Sequence, residues 1–232
     1  MKLIITAVIV LLATSILLTA NTYLPNVPIH LHSNQFIDGI LKYQLVVVIL
    51  ALIVLFLTIK ITPSSKLLLQ FGNLNAIAVK DRWLGINGSF TWRKNGIQLL
   101  FFISLATSIF MFFGIKYTDS LSNFKWWFIP FVILISLTNS FAEELIYRFA
   151  INGNLTNNLP KITVIIISAI LFGLPHYLGF PSGFIGVLMA GVLGYVLSKA
   201  TYETQGIGIA WTIHFVQDII IFTALFMMNI KG

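Results

Sequence analysis

The sequence predicts an all-α fold, a polytopic membrane helical bundle of about seven transmembrane helices. Of its 232 residues, 58% are hydrophobic and 9% are charged, whereas a soluble domain carries roughly 25% charged residues. Long apolar runs recur along the chain without the alternating pattern of strands, and backbone groups in lipid must pair within their own helix. We therefore expect one integral membrane domain embedded in a lipid bilayer.

Seven apolar runs define the expected spans. A membrane-crossing helix needs about 20 predominantly apolar residues. The fifth and sixth runs are short by this measure and are expected to tilt, kink or reach past the hydrocarbon core. The runs cover residues 3–20, 41–61, 97–115, 126–149, 162–178, 183–198 and 207–228.

The first run resembles a signal peptide, because Lys2 precedes an apolar stretch that ends at Ala20. The run is long for the apolar part of a signal peptide, and Leu18-Thr19-Ala20 is a poor cleavage site. We therefore expect Met1 to Ala20 to be retained as a membrane anchor.

The polar stretch 62–96 separates the second and third runs. Within it Leu67, Phe71, Leu74 and Ala78 recur at helical spacing. This spacing predicts a short helix, either lying in the membrane interface or packed on the bundle as a loop helix.

The basic residues predict the orientation of the spans. If the loop after the second run is cytoplasmic, ten of the fourteen basic residues lie inside, and the positive-inside rule then favours a cytoplasmic N-terminus. The ten are Lys2, Lys60, Lys66, Lys80, Arg82, Arg93, Lys94, Arg148, Lys161 and Lys199.

Composition excludes several classes of function. The chain has no cysteine, which rules out disulfides, thiolate metal sites and a cysteine nucleophile. Its net charge of +7 marks cytoplasmic loops and is not a sign of nucleic-acid binding. The sequence makes no prediction of oligomeric state.

Small residues recur every four positions along the sixth run. Such spacing forms a groove in which a neighbouring helix approaches closely, and packing is favoured over a smooth wall for a substrate helix. The residues are Ser182, Gly186, Ala190, Gly194 and Ser198.

Two adjacent carboxylates, Glu143 and Glu144, end an apolar part of the fourth run. Charged groups at such depth are costly, rare and functional as a rule. Neighbouring helical residues point about 100° apart, whereas Glu144 and Arg148 are four apart and can pair on one face. Glu143 is then free for chemistry.

Two further polar groups follow in later runs. Phe172 and His176 flank Pro175, which is expected to end the helix and turn His176 toward a polar cavity. His214 and Asp218 are four apart on the last run and share a face. Taken one at a time, each of these motifs could also have a purely structural role, as a hydrogen-bonded residue or an ion pair within the bundle.

Together, the three groups resemble the CPBP family of intramembrane proteases, which includes type II CAAX prenyl endopeptidases and bacteriocin-processing or immunity proteins. The family motifs EExxxR, FxxxH and HxxxN/D are matched by residues between Trp126 and Met228. The matching residues are Glu143, Glu144 and Arg148, then Phe172 and His176, and lastly His214 and Asp218. The resemblance divides the chain into N-terminal spans, 1–125, and a catalytic core, 126–232.

The resemblance implies that Glu143 is the general base and His176 its partner in polarising a water. The third motif, His214 with Asp218, would stabilise the oxyanion, as preorganised donors do. Because an ionised Asp cannot donate a hydrogen bond, the Asn of CAAX-type members would be the better donor at position 218. Glu144, Arg148 and Phe172 are supporting residues.

A metal-dependent mechanism stays open beside a metal-free one. Glu143, His176, His214 and Asp218 would make a plausible nitrogen and oxygen set for a divalent ion such as Zn²⁺. We favour no cofactor, because the HExxH pair on one helix is absent from the sequence.

The favoured function is an intramembrane endopeptidase whose site opens toward the cytoplasm and whose partners are membrane-anchored proteins or peptides. The alternative is a non-catalytic membrane protein of the same fold, acting in bacteriocin self-immunity or as a scaffold. A proton-relaying transporter is disfavoured by the complete set of three motifs.

Overall fold

A computed structural model describes residues 2–230 and confirms the all-α membrane bundle. Six helical segments are long and apolar enough to span a membrane, and Lys161–Tyr177 is a shorter apolar segment. The described residues contain no β-strand, and two isolated bridges are the extent of their β-pairing. The helices are α1 (Lys2–Tyr23), α2 (Gln35–Ile61), α3 (Trp92–Tyr117), α4 (Phe128–Glu144), α5 (Ala150–Leu155), α6 (Lys161–Gly173), α7 (Gly183–Thr204) and α8 (Gly208–Asn229).

Some helices begin or end at residues other than the ends of the apolar runs, because a capping side chain or a proline sets their limits. Helix α2 starts at Gln35, because the Asn34 side chain accepts hydrogen bonds from the backbone N–H groups of Phe36 and Ile37. Helix α6 ends at Gly173, and Leu174–Tyr177 continues as a 3₁₀ turn containing Pro175. The prediction that Pro175 ends this helix is confirmed.

Three apolar clusters hold the bundle together. One joins α1 and α2 to α5 and α6, and a second joins the loop before α3 to α7 and α8. The third lies around Phe226 of α8, where the start of α2, the end of α3 and the start of α4 meet. Phe172 of the FxxxH motif belongs to the first cluster.

The helix predicted across Leu67 to Ala78 is wrong. Residues Pro63–Leu68 form a 3₁₀ segment, and the chain then turns at Gly72, whose φ of +91° favours glycine. Beyond it the loop folds back through the bridges Ile77 to Thr91 and Asp81 to Ile86. Hydrogen bonds to the α7–α8 turn, such as Asn73 N to Thr204 O at 2.7 Å, replace those that a helix would make.

Glu203 of α7 anchors this loop to the bundle. One carboxylate oxygen lies 2.6 Å from both Lys161 Nζ and Lys199 Nζ. The other accepts hydrogen bonds from Val79 N and Trp92 Nε1, at 2.8 and 2.9 Å. This carboxylate therefore fixes the loop, α3, α6 and α7 at one end of the bundle.

The small residues of α7 do face a neighbouring helix. A Cβ atom on Gly194 would lie 3.0 Å from Phe172 Cδ1 and 3.1 Å from Ala169 Cα, both on α6. The packing interpretation is thereby confirmed at this position. The close approach holds the buried Phe172 ring in place.

Gly194→Ala should therefore lower thermal stability, because the methyl group must displace Phe172 or α6, and overpacking costs about 1–3 kcal/mol. Gly191→Ala on the same helix is the matched control, because its Cβ would meet Ala169 O at an ordinary 3.7 Å. Thermal unfolding in detergent measures both variants. Equal melting of the two would contradict the proposed contact.

Candidate active site

The two glutamates lie well inside a helical segment that is longer than its apolar run. Helix α4 passes through a π-helical turn, Leu145–Phe149, into α5, so the segment extends from Phe128 to Leu155. The segment continues past residue 149, where the apolar run ends, and Asn152 and Asn154 beyond that point are buried. Asn152, for example, hydrogen bonds Ser198 of α7. π-Helical turns of this kind are frequent at functional sites.

Glu144 joins two of the three motifs. Its Oε2 lies 3.4 Å from Arg148 Nε, which confirms the predicted pairing one turn along the helix. Its Oε1 lies 2.9 Å from His214 Nδ1 of α8. Glu144 and Arg148 are both fully buried, and such charges are tolerated only when they are paired.

Phe172 joins the FxxxH motif to the other two. The Arg148 guanidinium carbon lies 3.9 Å from the centre of the Phe172 ring, a cation–π distance. The same ring is 5.3 Å from the His176 ring and 5.3 Å, edge to face, from the His214 ring. The Phe172 ring thus contacts Arg148 and both histidines.

Glu143 points away from Arg148 and toward a cavity. Its Oε2 lies 3.6 Å from His214 Nε2, and Asp218 Oδ1 lies 3.6 Å from the same nitrogen. Tyr43 Oη is 3.4 Å from Glu143 Oε1, at the long end of the hydrogen-bond range. Two carboxylates therefore flank one ring nitrogen of His214.

The tautomers of the two histidines follow from their partners. Because the Phe172 carbonyl can only accept, the contact of 3.1 Å from His176 Nδ1 requires a proton on Nδ1. The lone pair of the neutral ring is then on Nε2. In His214 the contact with the Glu144 carboxylate likewise favours a proton on Nδ1, which leaves Nε2 facing Glu143 and Asp218.

A polar chain that the sequence analysis missed supports Asp218. Asn139 Nδ2 donates to Asp218 Oδ2 at 3.0 Å, and Gln44 Nε2 donates to Asn139 Oδ1 at 3.3 Å. Thr138 Oγ1 in turn donates to Gln44 Oε1 at 2.9 Å. Asn139 precedes Glu143 by one helical turn in an apolar run, and this signal was available in the sequence.

A cavity of about 710 Å³ brings the candidate residues together. Glu143, His176, His214 and Asp218 all line it, whereas Glu144, Arg148 and Phe172 do not. The four catalytic candidates therefore converge, and the three supporting residues lie behind them. The remaining lining is contributed by Asn21, Pro25, Gln35, Phe36, Gly39, Ile40, Tyr43, Gln44, Thr118, Asn139, Pro175, Leu178, Gly179, Phe180, Ile221, Phe222, Leu225, Met228 and Asn229.

The cavity opens at the end of the bundle opposite the basic loop 62–91. Along α8 it runs from His214 to Asn229, about 22 Å at 1.5 Å per residue. Its outer wall includes Asn21 at the end of α1 and Gln35 at the start of α2. The expectations of a cytoplasmic basic loop and of a cytoplasmic cavity opening are therefore incompatible.

The arrangement does not fit a metal ion. Among the side chains of residues 2–230, no group of three or more His, Asp or Glu is placed to hold one.

Comparison with known proteins identifies the same region as the motifs. Residues 125–220 match the family described as type II CAAX prenyl endopeptidase Rce1-like. This match confirms the resemblance and contains all seven motif residues, in less than half of the chain. No curated protein and no solved structure matches the chain.

The buried pair can be tested by removing one charge at a time. Glu144→Gln leaves the buried Arg148 without its partner, and Arg148→Met leaves the buried Glu144 with the His214 ring alone. We expect each to cost about 3–5 kcal/mol of unfolding free energy. The double variant leaves neither charge and should be more stable than the sum of the two losses implies. Denaturant unfolding in detergent of the four proteins gives the coupling energy, and strictly additive losses would contradict the pairing.

Proposed function

We propose that this chain, whose residues 125–220 carry an Rce1-like domain of the type II CAAX prenyl endopeptidase family, is an intramembrane endopeptidase. It hydrolyses peptide bonds in membrane-associated proteins or peptides. One observation carries the proposal: Glu144 is engaged by Arg148 and His214, whereas its neighbour Glu143 lines the cavity. A buried carboxylate at the wall of a cavity is the expected position for a general base.

Glu143 and His176 activate the attacking water. Ionised Glu143 and the Nε2 lone pair of His176 are both acceptors, so one water can donate a hydrogen to each. Its own lone pair is then directed at the substrate carbonyl carbon. Glu143 takes the proton as the O–C bond forms, and it later gives that proton to the amine that leaves as the C–N bond breaks.

His214 stabilises the oxyanion. When His214 carries both ring protons, Nδ1 donates to Glu144, and Nε2, which lies 3.6 Å from both Glu143 Oε2 and Asp218 Oδ1, is the donor for a substrate oxygen that enters between them. Preorganised donors of this kind are worth about 100–1,000-fold in kcat. Ionised Asp218 cannot donate, and its role is to orient His214 while Asn139 holds it in place.

The walls of the cavity indicate the class of substrate. Above the polar residues, α2 and α8 contribute Phe36, Ile40, Ile221, Phe222 and Leu225. Apolar walls of this kind fit an extended apolar peptide segment or a lipid-modified one. Prenylated proteins are one class within this range.

Glu143→Gln should lower cleavage at least 100-fold, because general-base catalysis contributes about 100–10,000-fold. The amide has almost the same shape as the carboxylate, so thermal melting in detergent should change little. His176→Ala should lose activity similarly. Cleavage is measured on a mixed set of quenched fluorescent peptides with purified protein in detergent.

The matched control for His176→Ala is His30→Ala, because the His30 side chain is 78% exposed and lies outside the cavity lining. This variant should keep full activity. Undiminished cleavage by Glu143→Gln would remove the catalytic role from this site. That result would favour the alternative, a non-catalytic role in immunity or as a scaffold.

Asp218→Asn distinguishes the metal-free mechanism from the metal-dependent one. In the metal-free mechanism that we propose, the amide oxygen can accept from Asn139 while its NH₂ group donates toward the oxyanion. Activity should then be kept or raised, and a strong chelator should change little. Loss of activity on chelation with recovery on adding Zn²⁺, together with loss in Asp218→Asn, would overturn the metal-free proposal.

A further inference from the structure

We propose that the cavity opens on the extracytoplasmic side of the membrane and receives exported or surface-exposed peptide segments. The location of the opening is a property of the bundle, and the substrate part of this inference rests on the proposed function. Two independent features support it: the position of the opening and the distribution of basic residues between the two ends.

The two ends of the bundle are defined by the connections between helices. The first end, which we call the loop end, carries segment 62–91, the α5–α6 turn and the α7–α8 turn. Backbone hydrogen bonds such as Ile207 N to Leu68 O, at 3.1 Å, join these segments. The second end, the cavity end, carries the connections 24–34, 118–127 and 178–182.

Basic residues are concentrated at the loop end. Three described basic residues lie at the cavity end, namely Lys42, Lys116 and Lys125, and Arg148 lies within the bundle. Nine lie at the loop end, namely Lys2, Lys60, Lys66, Lys80, Arg82, Arg93, Lys94, Lys161 and Lys199. Because basic residues in short loops mark the cytoplasmic side, the loop end is cytoplasmic and the cavity end is extracytoplasmic.

Ion pairing does not remove this asymmetry. At the loop end Lys161 and Lys199 are engaged by Glu203, and seven other basic residues remain there. At the cavity end Lys42 is buried and paired with Asp38 at 2.8 Å, which leaves two. The difference therefore persists among the basic residues that face water.

The cavity changes in character from its opening to its base. At the rim, Asn21, Gln35, Thr118 and Asn229 are exposed and polar. Below them lie the apolar walls of α2 and α8, and the catalytic residues line the base. A peptide strand from the outer surface can thus bury apolar side chains on the way to Glu143, while its polar flanks stay in water.

The side of the opening is tested by labelling introduced cysteines, because the chain has no cysteine of its own. Ser33→Cys and Gln35→Cys place a thiol on exposed positions at the cavity end, and Ser89→Cys is the matched control at the loop end. In intact cells, a membrane-impermeant maleimide should label the first two. Ser89→Cys should react only after permeabilisation, and the reverse pattern would overturn the inference.

A second measurement tests the substrate part. Quenched fluorescent peptides that cannot cross the membrane are added to right-side-out vesicles, to inside-out vesicles and to protein in detergent, each with Glu143→Gln as the blank. We expect at least ten-fold more cleavage by right-side-out than by inside-out vesicles. Greater cleavage by inside-out vesicles would overturn the inference while leaving the protease intact, and absence of cleavage in detergent would instead overturn the proposed function.

Discussion

The arrangement of the whole site depends on the burial of the Glu144 carboxylate between Arg148 and His214. One carboxylate oxygen forms an ion pair with the guanidinium at 3.4 Å, and the other contacts the imidazole at 2.9 Å. Removing these charges from water is costly, and only close partners offset that cost. Because Arg148 lies on the π-helical turn that continues α4 and His214 lies on α8, the two helices cannot shift against each other without exposing an unpaired charge to an apolar interior.

This constraint explains why two adjacent glutamates can have different roles. A turn of about 100° per residue separates their directions, so Glu144 faces the protein while Glu143 faces the cavity. Phe172 closes the arrangement from α6, because its ring lies against Arg148 and both histidines. Its own position is fixed by the close approach of α7 at Gly194, so a small residue on α7 positions the ring that lies against His176, the proposed partner of Glu143.

The features set by local chemistry could be predicted from the sequence. Apolar length located the spans, the spacing of four predicted the Glu144–Arg148 pair, and Pro175 predicted the end of α6. Features that depend on distant contacts could not be predicted in this way. The helical spacing from Leu67 to Ala78 was overridden by hydrogen bonds to the α7–α8 turn. The fourth helical segment continues beyond its apolar run, where Asn152 is hydrogen bonded to Ser198 of another helix.

The end of the bundle at which the cavity opens also depends on contacts between distant parts of the chain. Each motif residue could be placed on its helix, but the open end depends on how the turns at residues 24–34 and 178–182 leave space beside α8. Asn139 is a different case, because its position one turn before Glu143 is visible in the sequence. Its contact with Asp218 on another helix required the fold.

The central claim is that Glu143 activates a water and does not itself attack the substrate. Single-turnover cleavage in H₂¹⁸O, followed by mass spectrometry of the product and of the peptide containing Glu143, tests it directly. Direct attack by water predicts one ¹⁸O in the new carboxylate of the product and none in Glu143. Appearance of ¹⁸O in the Glu143 carboxylate would reveal a covalent acyl intermediate and contradict the account.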